Sequence, residues 1–182
     1  MFFERESSMN EFVELMTERR SIRKFQPKMI TNAELHQALY AGLFAASGMG
    51  RQPCYFIAVR DPETRHLLSS MNARILGQPS IDPFYGAPVV LVVLADKSCP
   101  TGVYDGSLVM GNMMNAAYSL KLGSIWIHRA KEEFELPEYK QLLKDLGIEG
   151  EWEGVGHCAV GYMDCDLPAR TERKDGRAFW IG

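Results

Sequence analysis

Apolar and polar residues alternate along this chain with both helical and strand periods. After Asn10, a residue type that caps helices, apolar residues recur every three to four positions and predict a first helix. Residues 31–34 read T-N-A-E, a capping box that predicts the start of a second helix. Residues 88–95 are apolar and rich in valine, as expected of a strand buried on both faces. Helices and strands mixed along residues 1–182 predict a single α+β domain.

Shorter elements fill the rest of the chain. Strands are predicted at residues 55–59, 124–128 and 154–163, a short helix from Pro62 and an amphipathic helix at residues 137–146. No repeat, low-complexity tract or linker in the sequence separates these elements into more than one domain.

The segment between Asp105 and Leu122 carries the most apolar helical pattern. Asp105 is predicted to cap this helix and Gly123 to end it. Its apolar residues surround the helix axis almost completely: Leu108, Val109, Met110, Met113, Met114, Ala116, Ala117, Tyr118 and Leu120. A helix that is apolar all round is buried in a core or in an oligomer interface, and for one domain of this size we favour an interface contribution.

Composition and charge narrow the possible partners. A net charge of -3 without a basic stripe argues against nucleic acid. The longest apolar run, residues 87–95, is far too short to span a membrane. The first residues lack the basic start and long apolar stretch of a secretion signal, so we expect a cytoplasmic protein. The four scattered cysteines are predicted to be reduced, and no histidine or cysteine spacing indicates a metal site.

The most informative polar segment is residues 19–25, R-R-S-I-R-K-F, directly after the first predicted helix. Arginine presents a planar fork of donors that matches phosphate oxygens, and a neighbouring hydroxyl adds another donor. In a chain with a net charge of -3, such a segment suggests one small, strongly anionic ligand. The alternative is a solvated helix end, because cations are favourable near a helix C-terminus.

Several common catalytic and nucleotide-binding motifs are absent from the sequence. There is no G-x-x-x-x-G-K-[ST], no G-x-S-x-G, and the G-M-G of residues 48–50 lacks the third glycine of a dinucleotide fingerprint. No spacing singles out a pair of acidic residues for acid–base catalysis. If the protein is an enzyme, a cofactor is expected to carry the chemistry.

Four segments, in this order and spacing, resemble the nitroreductase family of FMN-dependent oxidoreductases. They are residues 19–25, residues 45–54 (A-A-S-G-M-G-R-Q-P-C), residues 122–129 (L-G-S-I-W-I-H-R), and Gly161-Tyr162 followed by Arg173-Lys174. The resemblance covers nearly the whole chain. The chain departs from the usual family residues at Ala46, Gly50, Cys54, His128 and Arg129. The departures leave the phosphate-binding residues intact but leave the substrate and the nicotinamide preference open.

The resemblance implies an α+β fold with a central, mostly antiparallel sheet flanked by helices, assembled as an intertwined homodimer with two FMN sites at its interface. It implies a ping-pong enzyme that moves electrons from NAD(P)H to a nitroaromatic, a quinone or a similar acceptor. FMN would carry the chemistry, so no catalytic side chain and no metal is expected. Two alternatives stay open: a non-catalytic FMN-binding or carrier protein, and a specialised flavin-dependent oxidase or dehalogenase.

The resemblance also implies where FMN binds. The residues expected at its phosphate are Arg19, Ser21, Arg23, Arg173 and Lys174. Arg20 would lie beside the pyrimidine edge of the isoalloxazine ring, with Asn72 as a further candidate for a polar edge. The residues expected to approach the ring from the other subunit are Ser47, Gly48, Met49 and Gln52. Backbone N–H groups near His128 and Arg129 would approach the ring atom N5. If these two side chains reach the ring face, they would narrow the acceptor pocket; the alternative is that both point to solvent.

Overall fold

The structure is a computed structural model that describes residues 9–181. Along these residues helices and strands follow one another in the order α1 (Glu11–Glu18), α2 (Asn32–Leu43), a 3₁₀ turn (Gly48–Gly50), β1 (Cys54–Val59), α3 (Pro62–Ile75), β2 (Val89–Asp96), α4 (Gly102–Ser119), β3 (Leu122–Ile127), α5 (Ala130–Glu133), α6 (Pro137–Asp145) and β4 (Trp152–Tyr162).

The four strands form one antiparallel sheet in the order β1-β2-β4-β3. The two central strands, β2 and β4, pair along most of their length, with a register shift between Val93 and Leu94. This arrangement confirms the predicted α+β fold with a central antiparallel sheet. It also places β3 at one edge of the sheet, where the chain from residues 21–25 can lie beside it.

Helices cover both faces of the sheet, as the apolar pattern of β2 predicted. Every residue from Val89 to Ala95 is at most 1% exposed. Alternate residues of the strand enter two separate apolar clusters, one under α2 and α4 and the other under α3, α5 and α6. On β4, the neighbours His157 and Cys158 likewise point to opposite faces of the sheet.

The predicted helix starts are confirmed at α1, α2 and α3. Asn10 accepts a hydrogen bond from the Phe12 N–H at 2.9 Å. The Thr31 hydroxyl accepts from the Glu34 N–H, and the Glu34 carboxylate accepts from the Thr31 N–H, which completes the capping box. Helix α3 begins at Pro62 as predicted, but its 14 residues make it longer than the short helix expected.

The predicted ends of α4 are wrong at both termini. The helix begins at Gly102, so Asp105 lies inside its first turn, where its carboxylate accepts from the Gly48 N–H instead of capping the helix. It ends at Ser119, and Lys121, with a φ of 63°, makes the turn expected of Gly123. Gly123 lies instead within β3, where the close packing of Ile22 requires a glycine, since an added Cβ would come within 2.9 Å of Ile22 Cγ1.

Only one side of α4 is buried in this chain. Val109, Met110, Met113 and Ala117 belong to the core between α4 and the sheet. Tyr104 and Leu108, by contrast, are exposed. The predicted interface therefore cannot use Met110 or Met113, which are core residues, and any contact with a second copy falls to the opposite side of the helix.

Candidate functional site

The basic segment of residues 19–25 is held against the edge of the sheet. The Ile22 N–H donates to the Ser124 carbonyl at 3.1 Å, and Ser21 and Phe25 form isolated bridges with Ser124 and Met163. Ile22 and Phe25 are both buried in the core. Because these two apolar residues fix the backbone, the arginines between and before them are held in place rather than left on a loose helix end.

Arg19 carries the clearest sign of a missing ligand. Its side chain is half-buried at the end of α1, and burial lowers the pKa of its guanidinium below the ordinary value. Its Nη1 is buried and has no hydrogen-bond partner within residues 9–181, and the same holds for Nε of Arg20. A buried donor left unpaired costs about 1–3 kcal/mol, more when it is charged. Two such donors on adjacent residues fit an anion that accepts their hydrogen bonds.

Arg20 also serves the helix that precedes it. Its Nη1 donates to the carbonyls of Thr17, Glu18 and Arg19 at 3.0, 2.6 and 2.8 Å. These carbonyls lie at the C-terminal end of α1, where backbone acceptors lack helical partners. The alternative that these arginines only complete a helix end therefore holds for Nη1 of Arg20. Nε of Arg20 and Nη1 of Arg19 have no partner within residues 9–181 and could donate to a ligand.

The C-terminal tail approaches the same end of α1. Nη2 of Arg170 donates to the Thr17 carbonyl at 3.1 Å. The tail therefore reaches the helix end that also carries Arg19 and Arg20, three residues before Arg173. Arg173 and Lys174 themselves are exposed, as is Arg23. Their predicted contacts with a phosphate stay predictions.

The second predicted segment, residues 47–52, forms a tight loop anchored on α4. The Ser47 hydroxyl accepts from the Gln52 N–H at 3.1 Å, and the Gly48 N–H donates to both carboxylate oxygens of Asp105 at 3.1 and 3.2 Å. Met49 and Gln52 have φ values of 56° and 50° and are exposed. Within residues 9–181, no hydrogen bond joins this loop to residues 19–25. The loop is thus anchored on α4 and faces outward at Met49 and Gln52.

Removing the anchor of this loop is expected to destabilise the protein. Thr101 also donates its hydroxyl to Asp105, at 2.9 Å, so Asp105→Ala leaves a backbone and a side-chain donor unpaired. We expect a loss of about 1–3 kcal/mol in the free energy of unfolding, measured with urea. The matched control is Ser107→Ala, which removes a hydroxyl on the same helix that donates to the Val103 carbonyl. Equal losses in the two variants would contradict the anchoring role.

The third predicted segment is the turn between β3 and α5. Asn72 is buried on α3, and its Nδ2 donates to the His128 carbonyl at 2.7 Å. Arg129 has the left-handed backbone values φ 80° and ψ 1°, which cost a non-glycine residue about 1–3 kcal/mol. Its Nη1 donates to Glu132 Oε1 at 2.8 Å, and His128 is exposed. A strained turn that several side chains hold in place is typical of a functional site.

Comparison with known proteins identifies the family to which these three segments belong. The sequence profile of the nitroreductase family matches residues 16–83 and 79–162. A protein of Archaeoglobus fulgidus, provisionally named NADH dehydrogenase/NAD(P)H nitroreductase, is 30% identical over 141 residues, which cover 74% of this chain and 77% of the relative. The chain belongs to the nitroreductase family.

Two further comparisons support the assignment of this chain to the nitroreductase family. An FMN reductase (NAD(P)H) of Bacillus subtilis is 29% identical over 169 residues, covering 77% of this chain and 66% of the relative. The crystal structure of a nitroreductase with bound FMN from Bacteroides fragilis superposes with a TM-score of 0.87 at 27% identity. That match covers 96% of this chain and all of the other, so the nitroreductase fold predicted from the four segments is confirmed.

The nitroreductase-family chain also contains site features that sequence reasoning missed. Glu133 and His157 are both fully buried, and Glu133 Oε2 lies 2.9 Å from His157 Nε2, directly behind the turn at Arg129. Ser124, beside Ser21, has a buried hydroxyl with no partner in the described part of the chain. Asp105 was predicted as a helix cap rather than as a loop anchor. No sequence spacing links these residues to their neighbours, because the fold alone brings them together.

Two of the cysteines, Cys54 and Cys158, are poor nucleophiles in this nitroreductase-family protein. Burial raises the pKa of Cys54 to about 11 and that of Cys158 to about 12, so both are protonated at neutral pH. Among residues 9–181, no group of three or more His, Cys, Asp or Glu side chains is placed to hold a metal ion. Over the same residues, no helix combines the length and apolar character that crossing a membrane requires.

Proposed function

We propose that this nitroreductase-family protein is an FMN-dependent oxidoreductase that moves electrons from NAD(P)H to a nitroaromatic, a quinone or a similar small acceptor. The buried, unpartnered Nη1 of Arg19 is the observation that carries the proposal. It lies in the segment R-R-S-I-R that the sheet edge holds in place. The FMN reductase of Bacillus subtilis and the FMN-bound nitroreductase of Bacteroides fragilis support the choice of cofactor.

The donor set at the end of α1 fits the phosphate of FMN. Nη1 of Arg19 and Nε of Arg20 are buried donors without an acceptor, and Ser21 lies next to them on the fixed backbone. A phosphate dianion offers several strong acceptor oxygens and the opposite charge, which together favour bidentate binding by arginine. Arg23, Arg173 and Lys174 are exposed basic residues that could complete the neutralisation of the phosphate.

When bound, FMN would supply the redox chemistry, accepting a hydride from NAD(P)H and passing electrons to the acceptor. The chain would contribute binding and orientation: Arg19, Arg20 and Ser21 hold one end of the cofactor, and the His128–Arg129 turn presents backbone N–H groups at the other. Cys54 and Cys158 are protonated at neutral pH, so neither is assigned as a nucleophile. In this proposal the protein acts by positioning a cofactor that carries the chemistry.

We further propose that the active form is a homodimer. Large apolar side chains are exposed on α1, α2 and α4 and at the end of the tail: Phe12, Leu43, Phe44, Tyr104, Leu108, Phe179 and Trp180. A contiguous exposed apolar patch marks an interaction site, and we place the dimer contact at these side chains. In a dimer, the anchored loop of residues 47–52 of one subunit would lie against the flavin ring held by the other. This arrangement would explain why the loop makes no hydrogen bond to residues 19–25 of its own chain.

A cytoplasmic location fits this activity. The four cysteines are free in the structure, as expected in a reducing compartment. Such a compartment also supplies NAD(P)H.

Steady-state kinetics test the proposed reaction. Because NAD(P)H and the acceptor would use the same face of FMN in turn, initial rates with NADH at several fixed quinone concentrations should give parallel lines in a double-reciprocal plot. The same series with NADPH compares the two donors. Intersecting lines would show that both substrates bind together, and would contradict the ping-pong mechanism.

A further inference from the structure

We infer that Asn72 is a positioning residue that orients the backbone N–H of Arg129 toward N5 of the flavin. This inference rests on the proposed function, because it assigns a role at the same cofactor site. It differs from the direct contact with the flavin edge that the sequence suggested for Asn72.

The first step of the argument is the contact itself. Asn72 lies on α3 and is 1% exposed, and its Nδ2 donates to the His128 carbonyl at 2.7 Å. The two residues are 56 positions apart, so the bond crosses from a helix on one face of the sheet to the turn after β3. A buried side-chain amide that donates a hydrogen bond to a turn carbonyl fixes the direction of that carbonyl.

The second step follows from peptide geometry. The carbonyl of His128 and the N–H of Arg129 belong to one planar, trans peptide unit, so they point in opposite directions. Asn72 pulls the carbonyl toward the buried side of α3, and the N–H of Arg129 is therefore directed away from it. Within residues 9–181, this N–H donates to no acceptor.

The third step is that the rest of the turn is held from the other side. The Arg129 side chain is bound to Glu132, and the Arg129 carbonyl accepts from the Glu133 N–H at 3.1 Å. Glu133 is in turn buried against His157. With its C-terminal side fixed in this way, the turn holds the left-handed backbone of Arg129, and Asn72 sets the remaining peptide plane.

An oriented, unpaired donor is suited to a ring nitrogen that receives hydride. A donor fixed before the reaction needs no reorganisation while charge develops, and this is why preorganised backbone N–H groups are effective. In the FMN-loaded protein, the N–H of Arg129 would thus bind N5, and Asn72 would act on the reaction only through that peptide.

The test uses the holoprotein with FMN labelled with ¹⁵N at N5. Asn72→Leu removes the amide and keeps an apolar side chain of similar size, and Asn72→Ser serves if that variant does not fold. The matched control is Ser69→Ala, which removes another buried hydrogen bond of α3, from the Ser69 hydroxyl to Asp82. Thermal unfolding confirms that each variant is folded.

We expect Asn72→Leu to shift the N5 resonance of oxidised FMN toward its position in an aprotic solvent. The rate of FMN reduction by NADH should fall about ten- to a hundredfold, which is less than the roughly hundred- to thousandfold of deleting a preorganised donor, because the N–H is misdirected rather than removed. FMN affinity should stay within about threefold, because the phosphate site is at the end of α1. Ser69→Ala should leave the N5 resonance and the reduction rate as in the wild type.

An unchanged N5 resonance and reduction rate in folded Asn72 variants, as in Ser69→Ala, would overturn the inference. Equal changes in both variants would also overturn it, because they would reflect general loosening of α3. If the wild-type protein itself binds no FMN, the proposed function falls, so the two failures are distinguishable.

Discussion

Arg19→Ala is expected to weaken FMN binding roughly ten- to a hundredfold, or about 1.5–3 kcal/mol, because it removes a charged donor from the cofactor phosphate. In the free protein, Nη1 of Arg19 is buried and unpaired, so it contributes no hydrogen bond that the apoprotein would lose. The free energy of unfolding of the apoprotein should therefore change far less than the binding free energy. Fluorescence titration with FMN and urea unfolding of the apoprotein measure the two effects separately.

Riboflavin provides the matched control for Arg19, because it shares the ring of FMN and lacks the phosphate. It should bind the wild-type protein weakly, and Arg19→Ala should change that binding little. Equal losses for FMN and riboflavin would show that Arg19 acts on the ring or on the fold, and the phosphate assignment would then fail.

Leu108→Asp is expected to convert a dimer into monomers and to release FMN with it. Leu108 is 50% exposed on the outer side of α4, and an aspartate there would place an unpaired charge within an apolar interface, at a cost of several kcal/mol. Leu146→Asp is the matched control, since Leu146 is 52% exposed but follows α6 on the other side of the sheet. A substitution at Met113 would not test the interface, because Met113 is buried in the core of its own chain.

Analytical ultracentrifugation, with absorbance at the flavin band, follows assembly and cofactor together. The wild-type protein and Leu146→Asp should sediment as dimers of about twice 20.5 kDa with FMN bound, and Leu108→Asp as an FMN-poor monomer. A well-folded wild-type monomer with one FMN per chain would contradict the shared site.

Local sequence signals predicted much of the fold. The caps at Asn10 and Thr31 and the proline at the start of α3 act through neighbours a few residues away, so the sequence contains both partners of each interaction. The run of valines in β2 is also a local signal, because a continuous apolar stretch is typical of a strand buried on both faces. The ends of α4 were not predictable in this way, because Asp105 binds Gly48, a residue 57 positions away that only the fold brings near.

The candidate site likewise has features that local sequence signals predict and features that depend on contacts between distant residues. The arginine-rich segment, together with three other segments, predicted the family, and it contains three of the residues proposed for the phosphate site, because basic residues adjacent in sequence need no tertiary structure to be recognised. The sequence could not indicate that Nη1 of Arg19 is buried and unpaired, since this depends on how residues 21–25 pair with the sheet edge. Nor could it indicate the hydrogen bond from Asn72 on α3 to the His128 carbonyl, from which we infer the peptide orientation at this turn. Contacts between distant elements decide these features.

An anaerobic reductive titration tests the central claim, that this chain is an FMN-dependent oxidoreductase rather than a protein that only binds FMN. The purified holoprotein should be yellow, and about one equivalent of NADH or NADPH per bound FMN should bleach the flavin absorbance. Addition of a quinone without oxygen should then restore the absorbance in full. A protein that binds FMN stoichiometrically but whose spectrum responds to neither nicotinamide would be a carrier, and that result would contradict the account.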